Sequence, residues 1–173
     1  MKGFNAKKIA ALSVMCALLV CGKLALNIVP NVEVVSLFCA LFGYVFGLWA
    51  MLPATIFCVI SGAYWGYNIW VVTYLIYFNL IVIIFYLLSK KQLNKPYFTA
   101  PIICVLTFLF GLIDAFLVTM LSGFENFFSR LIFYYGNGII FCVVHIVSNT
   151  IIFALLFKIL ANVLQSLKLK LNI

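Results

Sequence analysis

The sequence predicts an all-α integral membrane protein, a compact bundle of six transmembrane helices with both termini cytoplasmic. Three observations lead there. Hydrophobic residues fill 68% of the 173 positions and charged ones 8%, with a mean hydropathy of +1.28. Soluble domains are about half apolar and a quarter charged, so a chain this apolar needs lipid as its solvent. Apolar runs near the ~20 residues that cross a bilayer recur from end to end. The basic residues fall in clusters that abut those runs: Lys2, Lys7 and Lys8; Lys90, Lys91 and Lys95; Lys158, Lys168 and Lys170. A net charge of +8 placed in this way is the positive-inside pattern of membrane proteins, not a nucleic-acid surface.

The first helix is expected over Ile9–Val29, ended by Pro30 and Asn31. It is too long for the apolar part of a cleavable signal, and equally apolar runs follow it. Residues 34–64 are too many for one comfortable span. Gly43, Gly47 and Pro53 interrupt them, so two short helices are expected, Val34–Gly47 and Leu48–Ala63. The fourth span runs from about Ile69 to Leu88 and closes on Ser89-Lys90-Lys91. Gln92–Pro96 is a polar linker to a fifth, Tyr97–Leu121. The sixth, Tyr134–Leu164, leads into a tail where leucine alternates with lysine. The whole chain reads as one domain. Six spans bring both termini to the lysine side and leave Glu33, the 64–68 turn, Glu125 and Arg130 on the outer side.

Polar groups inside apolar runs are costly and therefore candidate functional residues. Lys23 lies fifteen residues past Lys8, roughly 22 Å along a helix at 1.5 Å per residue. Asp114 lies seventeen past Tyr97, roughly 25 Å along its own helix. At matching depths the two are expected either to pair, lowering the cost of each charge, or to face a cavity and a ligand. His145 and Asn149 share a helix face, and Asn79 sits mid-span with Tyr74 and Tyr77 nearby. The stretch A63-Y-W-G-Y-N-I-W70 collects Trp65, Tyr67 and Trp70 at the outer boundary. These residues suit either an interfacial belt or a loop over a site where flat rings stack. Six cysteines lie inside apolar runs without a C-x-x-C pair, and the single histidine has no partner at ligand spacing, so neither a metal nor another cofactor is expected.

Small residues draw a further stripe. Ala6, Ala10, Ser13 and Ala17 lie on one face of the first helix and let another helix come close, within the bundle or from a separate subunit. No nucleotide-binding G-x-x-x-x-G-K-[ST] and no H-E-x-x-H occurs. Ser61 in V-I-S-G-A lacks the first glycine of a G-x-S-x-G elbow, so an enzyme is not expected.

Two stretches resemble a known family. V29-PNVEVVSLFCALFGYVF-G47 and G136-NGIIFCVVHIVSNTIIFALLFKI-L160 are similar to the first interhelical segment and the last helix of substrate-binding S components of energy-coupling factor (ECF) transporters. The resemblance implies a multi-pass protein of the bacterial cell membrane. It would capture a vitamin or related micronutrient from outside and be energised by a membrane-coupling subunit and two cytoplasmic ATPases. It also implies that the stripe of Ala6, Ala10, Ser13 and Ala17 meets the coupling subunit, although Val14 interrupts a strict four-residue repeat. The expected substrate residues are Asn31, Glu33, Trp65, Tyr67, Trp70, Tyr74, Asn79, Asp114, His145 and Asn149. Two other readings compete: a non-transporting structural subunit or chaperone of a membrane complex, and an intramembrane hydrolase built on Ser61 and His145.

Overall fold

The computed structural model describes residues 6–123 and 125–172, whose only regular elements are helices, with no strand among them; Lys2 of the first lysine cluster lies outside them. The helices are α1 (Ala6–Ala25), α2 (Val35–Phe46), α3 (Met51–Trp65), α4 (Ile69–Lys90), α5 (Pro96–Leu121), α6 (Phe127–Asn137), α7 (Ile139–Ile152) and α8 (Lys158–Leu171). A π-helical turn at Phe153–Phe157 joins the last two. Five stretches are long and apolar enough to cross a membrane: Ala6–Ala25, Val35–Trp65, Ile69–Lys90, Pro96–Leu121 and Ile139–Leu171.

The second stretch is not one rod. Ser36 and Gly43 of α2, and Gly47 just past its end, lie against Tyr77, Val82 and Tyr86 of α4, so α2 runs parallel to α4. Thr55 and Phe57 of α3 instead meet Asn79 and Phe78, which makes α3 antiparallel to the same helix. The chain reverses through the 3-10 turn Gly47–Ala50, where the expected break falls. Gly47 has φ +76°, a left-handed conformation open to glycine at no steric cost. Gly43 serves a different end. A Cβ there would stand 2.5 Å from the Val82 carbonyl oxygen, so the α2–α4 approach requires a residue without one.

Other boundaries shift from expectation for local reasons. α1 ends at Ala25, not Val29, because the Pro30 ring cannot accommodate a helical carbonyl at Leu26 four residues back. The expected start of the sixth span is a separate helix, α6, broken from α7 where Gly136 and Gly138 weaken the backbone. The last helix then continues past Leu164 to Leu171.

α1 and α3 run alongside each other, with Cys16 near Pro53, and α4, α5 and α7 follow antiparallel. The Lys7 ammonium reaches the Leu171 carbonyl (3.1 Å), and Lys168 caps the end of α2 at the Val45 carbonyl (2.7 Å). These contacts gather the start of α1 and the ends of α2 and α8 at one end of the bundle. The buried core joins Leu19, Leu41, Phe57, Tyr77, Ile81, Phe85 and Ile103 from α1 to α5 with Phe153 and Phe157 of the π turn. Phe153 and Phe157, brought into register by the π turn, stack with centroids 5.7 Å apart, and both pack on Phe85.

Candidate functional site

At the end of the bundle opposite Lys7 and Lys168, the turn between α1 and α2 folds inward. Asn31 has φ +58°, which asparagine tolerates better than most residues. It turns the chain so that Glu33 drops into the core at 6% exposure. The Glu33 carboxylate accepts the Ser36 backbone N–H at 2.9 and 3.2 Å, capping α2, whose own cap residue, Val34, has no polar side chain. It also meets His145 Nε2 at 3.4 Å and Asn149 Nδ2 at 3.5 Å, both long contacts. Burial works to raise the Glu33 pKa. The hydrogen bond and charge of His145, with the Ser36 groups, outweigh it and hold the carboxyl below its ordinary range.

From Glu33 the hydrogen bonds close into a ring. Asn149 Nδ2 donates to Thr107 Oγ1 (3.2 Å), which lies 3.2 Å from Tyr77 Oη; Ser36 Oγ donates to Tyr77 Oη (3.1 Å), and the Ser36 N–H returns to Glu33. Five residues thus tie the α1–α2 turn to α2, α4, α5 and α7. A carboxylate only accepts, so the Asn149 amide must aim its nitrogen at Glu33. This leaves Asn149 Oδ1 buried without a partner among the described residues. Ser148 adds a second stitch, its hydroxyl lying 3.3 Å from the Asn31 carbonyl and 3.1 Å from that of His145.

Two cavities lie beside this ring, the smaller reaching it at Glu33 and Tyr77 and the larger only through Asn31 and His145. The larger, about 310 Å³, lies between α5, α6 and α7 and is lined by Asn31, Phe110, Asp114, Tyr134, Tyr135, Phe141, Cys142 and His145 among others. The smaller, about 30 Å³, is lined by Lys23, Asn31, Glu33, Tyr74, Tyr77, Phe78, Phe110 and His145. Asn31, Phe110 and His145 belong to both, so they form the partition. Of the expected substrate residues, Asn31, Glu33, Tyr74, Asp114 and His145 therefore meet at one place, and Asn149 lies in the ring beneath.

The others do not. Asn79 bonds the Leu75 carbonyl of its own helix (2.9 Å) and Thr55 (3.2 Å), so it braces α3 to α4. Tyr67 folds its ring over Gly62 and donates to the Val59 carbonyl (3.0 Å), while Trp65 is exposed. Trp70 packs edge-on to Tyr74 at 5.0 Å and touches the small cavity only through it. Lys23 and Asp114 do not pair with each other. Asp114 accepts Thr73 Oγ1 (2.8 Å), and Lys23 lies 3.4 Å from Tyr74 Oη. The depths match, but consecutive residues of α4 point about 100° apart, so the two charges lie on different sides of it. Ser61 and His145 line different cavities, Ser61 facing Phe57, Tyr64 and Trp65. The small-residue stripe at Ala6, Ala10, Ser13 and Ala17 is exposed, so it is not spent on packing within the bundle.

Ser36, Thr107, Phe110, Tyr135 and Ser148 join the site without having been singled out. Only the neighbouring Glu33 and Asn149 gave a signal for them, since hydroxyl side chains in apolar helices commonly bond their own backbone. Among the described residues no three His, Cys, Asp or Glu side chains converge to hold a metal. No family model matches the chain, and no curated protein or solved structure matches it either.

Proposed function

We propose that the protein is a membrane-embedded capture subunit for a small organic molecule, the S component of an ECF-type importer of a vitamin or related micronutrient. The observation that carries this reading is the convergence of Asn31, Asp114 and His145, far apart in sequence, on one aromatic-lined cleft of about 310 Å³. Its size lies at the lower end of small-molecule sites, and its few polar groups among ring faces suit orientation of a flat ligand. The cleft lies opposite the lysine end. With the lysines cytoplasmic, it opens to the outside, where an importer collects its substrate. The exposed stripe on α1 supplies a face for a coupling subunit, and ATPases on separate chains supply the energy.

Mass spectrometry of the detergent-purified protein tests this directly. A small molecule is expected to co-purify from the native host, to be released on denaturation, and to rebind saturably. Pull-down from the same membranes is expected to recover a coupling subunit with ATPases. A protein that carries no small molecule, rebinds none from host extract and recovers no ATPase would overturn the reading and favour a structural subunit.

A further inference from the structure

The charges around the two cavities are unevenly balanced. Four ionisable groups other than tyrosine and cysteine face them: Lys23, Glu33, Asp114 and His145. Glu33 is fully engaged by Ser36, His145 and Asn149. Lys23 shares the small cavity with Glu33, its ammonium 3.4 Å from Tyr74 Oη and 5.7 Å from the centre of that ring. Asp114 stands apart. It faces the larger cleft, Thr73 takes up Oδ1, and Oδ2 has no partner among the described residues. His145 thus lies against Glu33, whereas among the described residues no Lys, Arg or His stands within ion-pair distance of Asp114, and this unmatched carboxylate lies in the space large enough for a ligand.

The walls repeat the preference. Phe110, Tyr134, Tyr135 and Phe141 line the same cleft, and aromatic faces carry partial negative charge that attracts cations and disfavours anions. A half-buried carboxylate among aromatic rings, with one oxygen unpartnered, favours a cation or a strong N–H donor over any other ligand group. From this imbalance we infer that the captured molecule is a cationic or readily protonated nitrogen heterocycle of one or two rings, its positive nitrogen on Asp114 Oδ2 and its ring against Phe110. The inference rests on the capture reading above and narrows it to a substrate class. An acidic substrate, which the same fold could equally hold, is excluded by it.

Three single-ring probes of nearly equal size and different charge test the class: 1-methylnicotinamide (cation), nicotinamide (neutral) and nicotinate (anion), titrated calorimetrically against the full chain in detergent after removal of any native ligand. The cation is expected to bind about tenfold more tightly than the neutral probe, and the anion most weakly. Asp114→Asn is expected to bring cation and neutral probe to within about twofold of each other. Lys23→Met removes the one fixed positive charge and is expected to widen the gap between cation and anion, which gives a readout of opposite sign should Asp114→Asn not fold. Nicotinate binding as tightly as the cation, a cation preference that survives Asp114→Asn, a gap that narrows or stays unchanged in Lys23→Met, or no saturable binding of any probe at millimolar concentration would each overturn the assignment. The two levels fail separately. An acidic co-purifying molecule sinks the class and leaves the capture reading standing, whereas absence of any co-purifying or rebinding molecule and of any ATPase partner sinks both.

Discussion

Glu33 illustrates how one residue's role changes between sequence and structure. By position it is an acid at the mouth of a bundle, two residues before a helix; in space it is buried and holds that helix's first turn, His145 and Asn149 at once. Glu33→Gln keeps the shape but replaces an acceptor-only group with one that also turns donors toward its neighbours. Hydrogen bonds to charged groups are worth about 1.5–3 kcal/mol, and a loss of about that size is expected in thermal unfolding of the detergent-solubilised protein. The pH dependence has a definite sign. The folded-state pKa of Glu33 lies below its ordinary value, so its contribution is fully present above the unfolded glutamate value of about 4.3. It is lost as pH falls from there through the folded value. Melting curves are expected to decline with acidification below about pH 4 in the native protein, and Glu33→Gln is expected to lack that component.

At the scale of elements, punctuation was the most legible feature. Gly47 and Pro53 marked the reversal between α2 and α3, and Pro30 marked the end of α1, because each acts on its own backbone. Side-chain direction was not legible in the same way. Asn79, Asp114 and Asn149 look alike as polar residues in apolar runs, yet Asn79 is satisfied by its own helix and Thr55 while the other two face the site. The face toward which a helix turns is decided by its neighbours, and in a chain apolar on nearly every face no amphipathic stripe reveals it. Gly43 gives the sharpest test of packing at this scale. Gly43→Ala places a methyl against the Val82 backbone and is expected to destabilise the protein by about 1–3 kcal/mol. Gly136→Ala, whose added Cβ meets nothing within 4 Å, is expected to be neutral or to stabilise by up to about 1 kcal/mol. Thermal unfolding of the pair checks both.

Across the whole molecule, the bundle has two unlike ends. One gathers Lys7, Lys168, the end of α2 and the end of α8; the other holds the ring and its cleft. Composition sufficed to predict an all-helical bundle with helices apolar enough to cross a membrane, because that property sums over many residues. The exact partners within the site depend on single contacts and could not be read in that way. The exposed face of α1 belongs to this scale too. Ala10→Leu and Ala17→Leu add bulk at exposed positions and are expected to leave melting temperature unchanged while abolishing recovery of the coupling subunit proposed above in pull-downs; normal recovery from both variants would dissociate the stripe from partner binding.

The short α2 carries a consequence for the electrical thickness of the bundle. Its 12 residues make a rod of about 18 Å, whereas the hydrocarbon layer measures about 30 Å. In a bilayer the ring of Glu33, Ser36, Tyr77, Thr107 and Asn149 would form the floor of a solvated depression, with roughly a dozen ångströms of the layer replaced by water above it. A transmembrane voltage falls mainly across the insulating part, so most of it would drop between that floor and the lysine end. A charge arriving in the cleft would cross little of the field, and its binding would be nearly independent of membrane potential. Only a movement of the floor itself would carry a charge through the steep part of the voltage profile.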